Sequence, residues 1–187
     1  MAERHPRLDE KLRAFIARQR IFFTATAAPD ARVNLSPREG GALRVVDDLA
    51  LAYLDRTGSG NETAAHLRAD GRMTIMLCAF EGPPMILRLY GQGRILHRDS
   101  ASDHAMLNRC VDGKAPDVAR QIVRLDIDIG QTSRGFGVPL FDYKEDRTVL
   151  ERWARGKSPD GISAYWREKN MTSIDGLPTG ILEAPQQ

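Results

Sequence analysis

The residues of this chain best suited to chemistry lie together in Asp55-Arg56-Thr57-Gly58-Ser59-Gly60-Asn61-Glu62-Thr63. They follow the apolar run from Leu49 to Leu54 and precede Ala64-Ala65-His66-Leu67-Arg68, so small polar residues sit where a strand gives way to a helix. The first N–H groups of a helix lack internal partners and its dipole is positive there, so a phosphate ester can accept several hydrogen bonds at once. The same residues can also satisfy one another. Ser59-Gly60-Asn61-Glu62 has the pattern of a capping box, in which Ser59 accepts from the Glu62 amide and Glu62 reaches back. Taken alone, the stretch leaves both readings open, and Glu62 adds a negative charge that a phosphate there would need a cation to offset.

Other polar residues are weaker candidates. Arg88 stands in an apolar strand pattern and calls for a carboxylate across the sheet or for a ligand. Asp126 and Asp128 alternate with Ile127 and Ile129, which reads as a solvated strand face rather than a pair of catalytic acids. His66 has no nameable partner and reads as structural. Cys78 and Cys110 lack the spacing of a disulfide framework or zinc site and read as buried apolar side chains. No metal site is expected.

The elements that must position these residues follow from pattern. Leu8, Leu12, Phe15 and Ile16 recur at helical spacing over 8–19. Strands are expected over 21–27 and 32–36, with Val33 and Leu35 on one face and Asn34 and Ser36 on the other; Pro37 should interrupt the second beside Arg38 and Gly40-Gly41. Further strands are expected over 43–46, 49–54, 73–80, 85–91 and 122–129, with one or two helices over 100–120. Residues 131–140 are too apolar for a free loop and should pack on something. Val149, Leu150 and Trp153 mark another helix, Tyr165-Trp166 a second, and an irregular tail follows.

The chain has 187 residues, 42% of them hydrophobic and 28% charged, which suits one globular domain without disulfides. Its 27 basic and 25 acidic residues are interspersed, without the basic stripe of a nucleic-acid surface. The charged N-terminal segment and the lack of an apolar run near the roughly 18 residues of a membrane span lead us to expect a cytoplasmic protein with no membrane or nucleic-acid partner.

Two nucleotide folds are disfavoured. Gly58-Ser59-Gly60-Asn61-Glu62-Thr63 matches half of a dinucleotide fingerprint, with Glu81 placed as a ribose acid, but Thr63 replaces the third glycine. Gly82-Pro83-Pro84 also makes a tight return that parallel strands cannot use. No lysine follows the glycines, which excludes a P-loop.

Antiparallel strands with peripheral helices fit a small barrel. The order of Phe22-Phe23-Thr24-Ala25-Thr26, Val33-Asn34-Leu35-Ser36-Pro37-Arg38, Ala52-Tyr53-Leu54-Asp55, Gly58 to Leu67, Met76 to Phe80 and Arg88-Leu89-Tyr90-Gly91 resembles the pyridoxamine 5'-phosphate oxidase-like proteins. More narrowly it is similar to a bacterial branch that also carries Gly-Phe-Gly-Val-Pro and Ser-Ile-Asp-Gly-Leu-Pro segments, here at 135–139 and 173–178.

The resemblance implies a mainly β fold with peripheral helices, an antiparallel six-stranded split β-barrel of Greek-key type. It further implies one domain over 1–187, in which 140–187 is a helical extension on the barrel. It implies FMN held between the subunits of a homodimer, and oxidoreductase chemistry by hydride transfer at flavin N5. By position, the cofactor-binding residues would be Asn34, Ser36, Arg38 and Asp55 with Ser59, Gly60, Asn61 and Thr63 of the phosphate loop. Arg38 would then be the cation that offsets Glu62. Gln131, Ser133 and Phe136 would come from the second subunit, and no catalytic residue is assigned.

Two departures matter. Many relatives place arginine or lysine in the phosphate loop, where this chain has Asn61 and Thr63. The oxidase's terminal arginine–histidine pair is also missing from residues 170–187, which argues against pyridoxamine phosphate as substrate. A non-catalytic flavin-storage protein, or a relative using haem or a deazaflavin, is the alternative function.

Overall fold

A computed structural model describes residues 2–97 and 119–183. Cys110 and the expected helices over 100–120 lie outside the described residues, except that residues 119 and 120 are described and are strand rather than helix.

In chain order the elements are β1 (Glu3–His5), α1 (Glu10–Arg18), β2 (Ile21–Thr26), β3 (Asn34–Glu39), β4 (Leu43–Asp47), β5 (Ala50–Arg56), α2 (Glu62–Ala69), β6 (Arg72–Cys78), β7 (Ile86–His97), β8 (Ala119–Ser133), α3 (Val149–Arg155) and α4 (Pro159–Lys169). Asp9 caps α1 by accepting from the Leu12 N–H at 2.8 Å, and Leu12, Phe15 and Ile16 form its buried stripe. The strands form one antiparallel sheet in the order β3-β2-β6-β7-β8-β5-β4, with β1 paired to β8. Among the described residues eight strands therefore stand where six were expected.

The sheet curls on itself. β2 and β5 are separated by three strands, yet the Phe22 and Tyr53 rings meet edge to face with centroids 5.3 Å apart. Their contact places the core inside the curl, where Leu51, Ile75, Leu77, Leu87, Leu89 and Leu125 are wholly buried and α1 packs against them. A short 3₁₀ turn, Gly40–Ala42, joins the two outer strands β3 and β4. The Gly40 N–H donates to the Arg20 carbonyl at 2.8 Å, and a Cβ on Gly40 would collide with the Gln19 carbonyl, so the closing turn needs glycine there.

Two expectations change here. β3 runs through Pro37 instead of breaking at it, because β3 is an edge strand and an edge tolerates a residue that cannot donate. Its faces alternate as expected, but the apolar face is the outward one: Val33 and Leu35 are 73% and 65% exposed, while Asn34, Ser36 and Arg38 are half-buried. Residues 134–140 also do not pack away their apolar side chains, since Phe136 and Leu140 stand exposed.

Candidate functional site

The strand β5 is buried on both faces and carries Asp55 near its end into the interior, at zero exposure. A carboxylate taken out of water needs partners. Three donors supply them: Arg38 Nη1 at 2.8 Å reaches one oxygen, and Arg120 Nε at 2.7 Å and Gln121 Nε2 at 2.8 Å reach the other. Neighbouring residues of a strand normally point to opposite faces, so Arg120 and Gln121 should not share a target. A β-bulge permits it. Asp55 pairs with Gln121 and Arg56 with Ala119, which leaves Arg120 as the extra residue and turns it toward Asp55.

The network continues into the loop. Gln121 Nε2 also donates to Asn61 Oδ1 at 2.8 Å, and Arg120 Nη1 donates to the Gly60 carbonyl at 2.8 Å. The end of the loop is thus tied to the barrel from below. From β3, Asn34 Nδ2 donates at 3.1 Å to both Thr26 and Thr63, and Ser36 donates to Asn34 Oδ1 at 2.9 Å. Thr26 in turn shares a 3.1 Å hydrogen bond with His66 Nδ1.

Electrostatics follow the geometry. Burial by itself would raise the Asp55 carboxyl, but the Arg120 and Arg38 guanidiniums, with the Gln121 amide, hold it below the ordinary carboxylate range. Tyr53, wholly buried beside Arg38, has its hydroxyl pushed up to about 12 by burial, against the opposing pull of the guanidinium. Two guanidiniums face one carboxylate, so the cluster carries one positive charge in excess. Arg38 Nε and Asn61 Nδ2 are buried donors without a hydrogen-bond partner among the described residues.

The eight expected cofactor residues fall into two groups. Six lie in two separate hydrogen-bond networks, Asn34, Ser36 and Thr63 in one and Arg38, Asp55 and Asn61 in the other. Ser59 and Gly60 stand at the surface, Gly60 tied to the second network only through its carbonyl and Arg120. The capping box does not form: α2 begins at Glu62, its N-cap is Asn61, and no side chain caps it. Nor does Arg38 offset Glu62. Glu62 instead accepts the Ile174 N–H of the tail at 3.1 and 3.2 Å, while Arg38 is committed to Asp55.

The extension covers the outer side of the same loop. Trp166 Nε1 donates to the Thr57 hydroxyl at 2.9 Å, Asn170 Nδ2 donates to the Gly58 carbonyl at 2.9 Å, and Arg32 pairs with Asp175. Arg56 ties Glu39 of β3 to Glu151 of α3. A pocket of about 420 Å³ remains between Thr57, Gly58 and Ser59 on one side and Arg147, Trp153 and Tyr165 on the other.

Several expectations are resolved by side-chain contacts. Arg88 pairs with no carboxylate among the described residues; its Nη1 donates to Ser133 at 3.4 Å. Asp126 accepts from Arg124 at 2.7 Å and pairs with Arg94 at 3.4 Å, as a solvated strand face does. His66 is buried, in keeping with its structural reading.

A family model described as pyridoxamine 5'-phosphate oxidase matches residues 8–133, which contain the whole Asp55 cluster. This chain belongs to the pyridoxamine 5'-phosphate oxidase family. It is 35% identical to the family protein ustO of Aspergillus flavus, over 91% of this chain and 75% of that protein. Among solved structures it is similar to HupZ of Group A Streptococcus, at 18% identity and a TM-score of 0.51 over 65% of this chain and 91% of the other. It is similar in the same degree, 18% and 0.51, to a candidate pyridoxamine 5'-phosphate oxidase from Lactobacillus delbrueckii, over 67% and 94%. Those likenesses give this family member the split-barrel fold. No helix among the described residues is long and apolar enough to cross a membrane.

Residues 147–170, which wall the pocket and clamp the loop, lie beyond residues 8–133 of the family model. Arg120 and Gln121 lie inside it and were missed from sequence. The available signal was Asp55 itself, an acid ending an apolar strand, which must find buried cations somewhere in the chain.

Proposed function

We propose that this protein binds FMN and is a flavin-dependent oxidoreductase acting on a small molecule, as a homodimer with the flavin between subunits, in the cytoplasm. The observation that carries the reading is the Asp55 cluster, with its excess positive charge and its two unpartnered donors, Arg38 Nε and Asn61 Nδ2, beside the loop. A buried donor left unpaired costs on the order of 1–3 kcal/mol, so an acceptor supplied by a ligand would be favoured there. A guanidinium and an amide with unpaired donors beside the loop suit a phosphate ester, and Ser59 adds an exposed hydroxyl on the loop itself.

When bound, the flavin supplies hydride transfer at its N5. The residues of the chain bind and orient. Asp55 and Arg120 hold Arg38 and the Gly60 carbonyl in place, so the cation and the loop are ordered before a ligand arrives. Asn34 and Ser36 present a polar row on the inner face of β3. Val33, Leu35, Phe136 and Leu140 support the dimer, because these large apolar side chains are exposed in the single chain. The tail over the loop, residues 170–183, contains neither arginine nor histidine, so a substrate other than pyridoxamine 5'-phosphate is proposed.

The test is an FMN titration followed by quenching of flavin fluorescence, with anaerobic NADH or NADPH added afterwards. Saturable binding and bleaching of the bound flavin are expected. Protein that ignores FMN overturns the reading, and binding without bleaching by either donor or any substrate favours storage over turnover.

A further inference from the structure

At the end of β2 remote from α2, a cavity of about 910 Å³ opens between the C-terminal end of α1, the start of β2, the β6–β7 turn and residues 141–144. Its volume is that of a site for a drug-sized molecule, for which pockets of about 300–1,000 Å³ are usual. Phe15, Phe80, Met85 and Phe141 form its walls.

The fourth side is a strap without regular secondary structure. It is nonetheless fixed: the Phe141 N–H donates to the Phe80 carbonyl at 2.9 Å, and the Phe80 and Phe141 rings lie 5.5 Å apart. The Tyr143 N–H donates to Glu81 at 3.2 Å, and the Arg20 guanidinium lies 4.7 Å from the Tyr143 ring centroid. Fixing the strap does not bury its aromatic side chains. Phe141 remains 59% exposed and Tyr143 40%, so apolar ring surface stays in water at the cavity. The strap lies beyond residues 8–133, the part covered by the family model, but within the 91% of the chain aligned with ustO.

Charge selects the ligand. Lys11, Arg18, Arg20 and Lys144 line the cavity against Glu81 and Asp142, which leaves two positive charges in excess. None of the four cations forms an ion pair among the described residues. Cations at the rim of an apolar cavity attract an anion, and aromatic walls favour a flat ring. An anion with an apolar body satisfies both, with its charge at the rim and its ring between the phenylalanines.

We propose that this cavity is a binding site for an aromatic carboxylate, separate from the phosphate loop, with the ring against Phe15, Phe80 and Phe141 and the carboxylate toward Arg18, Arg20 and Lys11.

The probe is 2-naphthoate, titrated into the full chain by calorimetry beside its neutral isostere 2-naphthamide. One molecule of 2-naphthoate per chain is expected, with the amide weaker by about tenfold or more, the loss of one charge-assisted contact. The double variant Lys11→Glu, Arg18→Glu changes two exposed positions of α1 and should weaken 2-naphthoate by at least about tenfold while leaving FMN titration unchanged. Equal binding of acid and amide, acid binding untouched by the double variant, or absence of saturable binding overturns the site. Displacement of 2-naphthoate by FMN would also overturn it, by merging the two sites. If 2-naphthoate binds as expected and FMN does not bind at all, the flavin reading alone falls.

Discussion

The opposite ends of β2 show two ways of arranging charge. At Thr26 the strand meets α2 and the loop, where Asp55 is closed in by Arg38, Arg120 and Gln121 with hydrogen bonds of 2.7–2.8 Å. At Ile21 it borders the cavity, where four cations ring an apolar space without an ion pair among the described residues. The first arrangement must be satisfied internally, because a charge out of water without a partner costs several kcal/mol. The second needs no internal partner, since water solvates its exposed cations. Mutation should therefore disturb the fold at the first end and ligand selection alone at the second.

The largest effect is expected from Asp55→Asn, which leaves two guanidiniums facing each other near the core. Urea unfolding should show a loss of about 3–5 kcal/mol, as for breaking a buried ion pair from one side. A loss no greater than that of the Lys11→Glu, Arg18→Glu variant would erase the contrast between the two ends.

Next is Arg38→Ala, for which FMN affinity should fall by about 1–3 kcal/mol. Because Arg38 also holds Asp55, stability should fall with it, and Arg38→Lys should restore part of both. Affinity unchanged in a fluorescence titration would remove Arg38 from the site.

Acid should act at the first end too. Asp55 is held below the ordinary carboxylate range, so its stabilisation is complete above about pH 4, the unfolded value, and is lost as pH falls through the lower folded value. Wild-type protein should lose stability below that pH, and Asp55→Asn should lack this component. Parallel acid profiles for the two proteins would contradict the ionised cluster.

Trp166→Phe removes the indole donor to Thr57 and tests how far the extension clamps the loop. A cost of about 0.5–1.5 kcal/mol is expected from unfolding. The smallest effect belongs to Ser59→Ala. A capping serine would lose about 1 kcal/mol, but Ser59 caps nothing, so thermal unfolding should not move while FMN binding weakens.

Much of the barrel was legible because burial on one face leaves a period of two in the sequence. β2 falls within its expected strand, and β5, β6 and β7 overlap theirs with shifted ends. Strand continuity through Pro37 was not legible, because whether a proline breaks a ladder depends on which side of it a neighbour lies. The start of β8 escaped for a similar reason: Ala119, Arg120 and Gln121 are buried around a bulge and share no alternating pattern. The cavity left no trace in local pattern, since its walls come from α1, a turn and a strap spread along the chain from Lys11 to Lys144.

The loop Thr57 to Asn61 marks the division between the two sources of information. By itself the sequence determined that a turn of small polar residues joins a buried strand to a short helix, because composition and local backbone preference suffice for that. Only the tertiary structure decided what surrounds the turn. Ser59 could cap α2 by spacing alone, yet the helix starts at Glu62, whose carboxylate is drawn to the Ile174 N–H of a tail 112 positions away. Arg38 could reach any nearby anion, yet Asp55 claims it from within the barrel. Side chains choose partners by distance in space, and a folded chain sets that distance with little regard for distance in sequence.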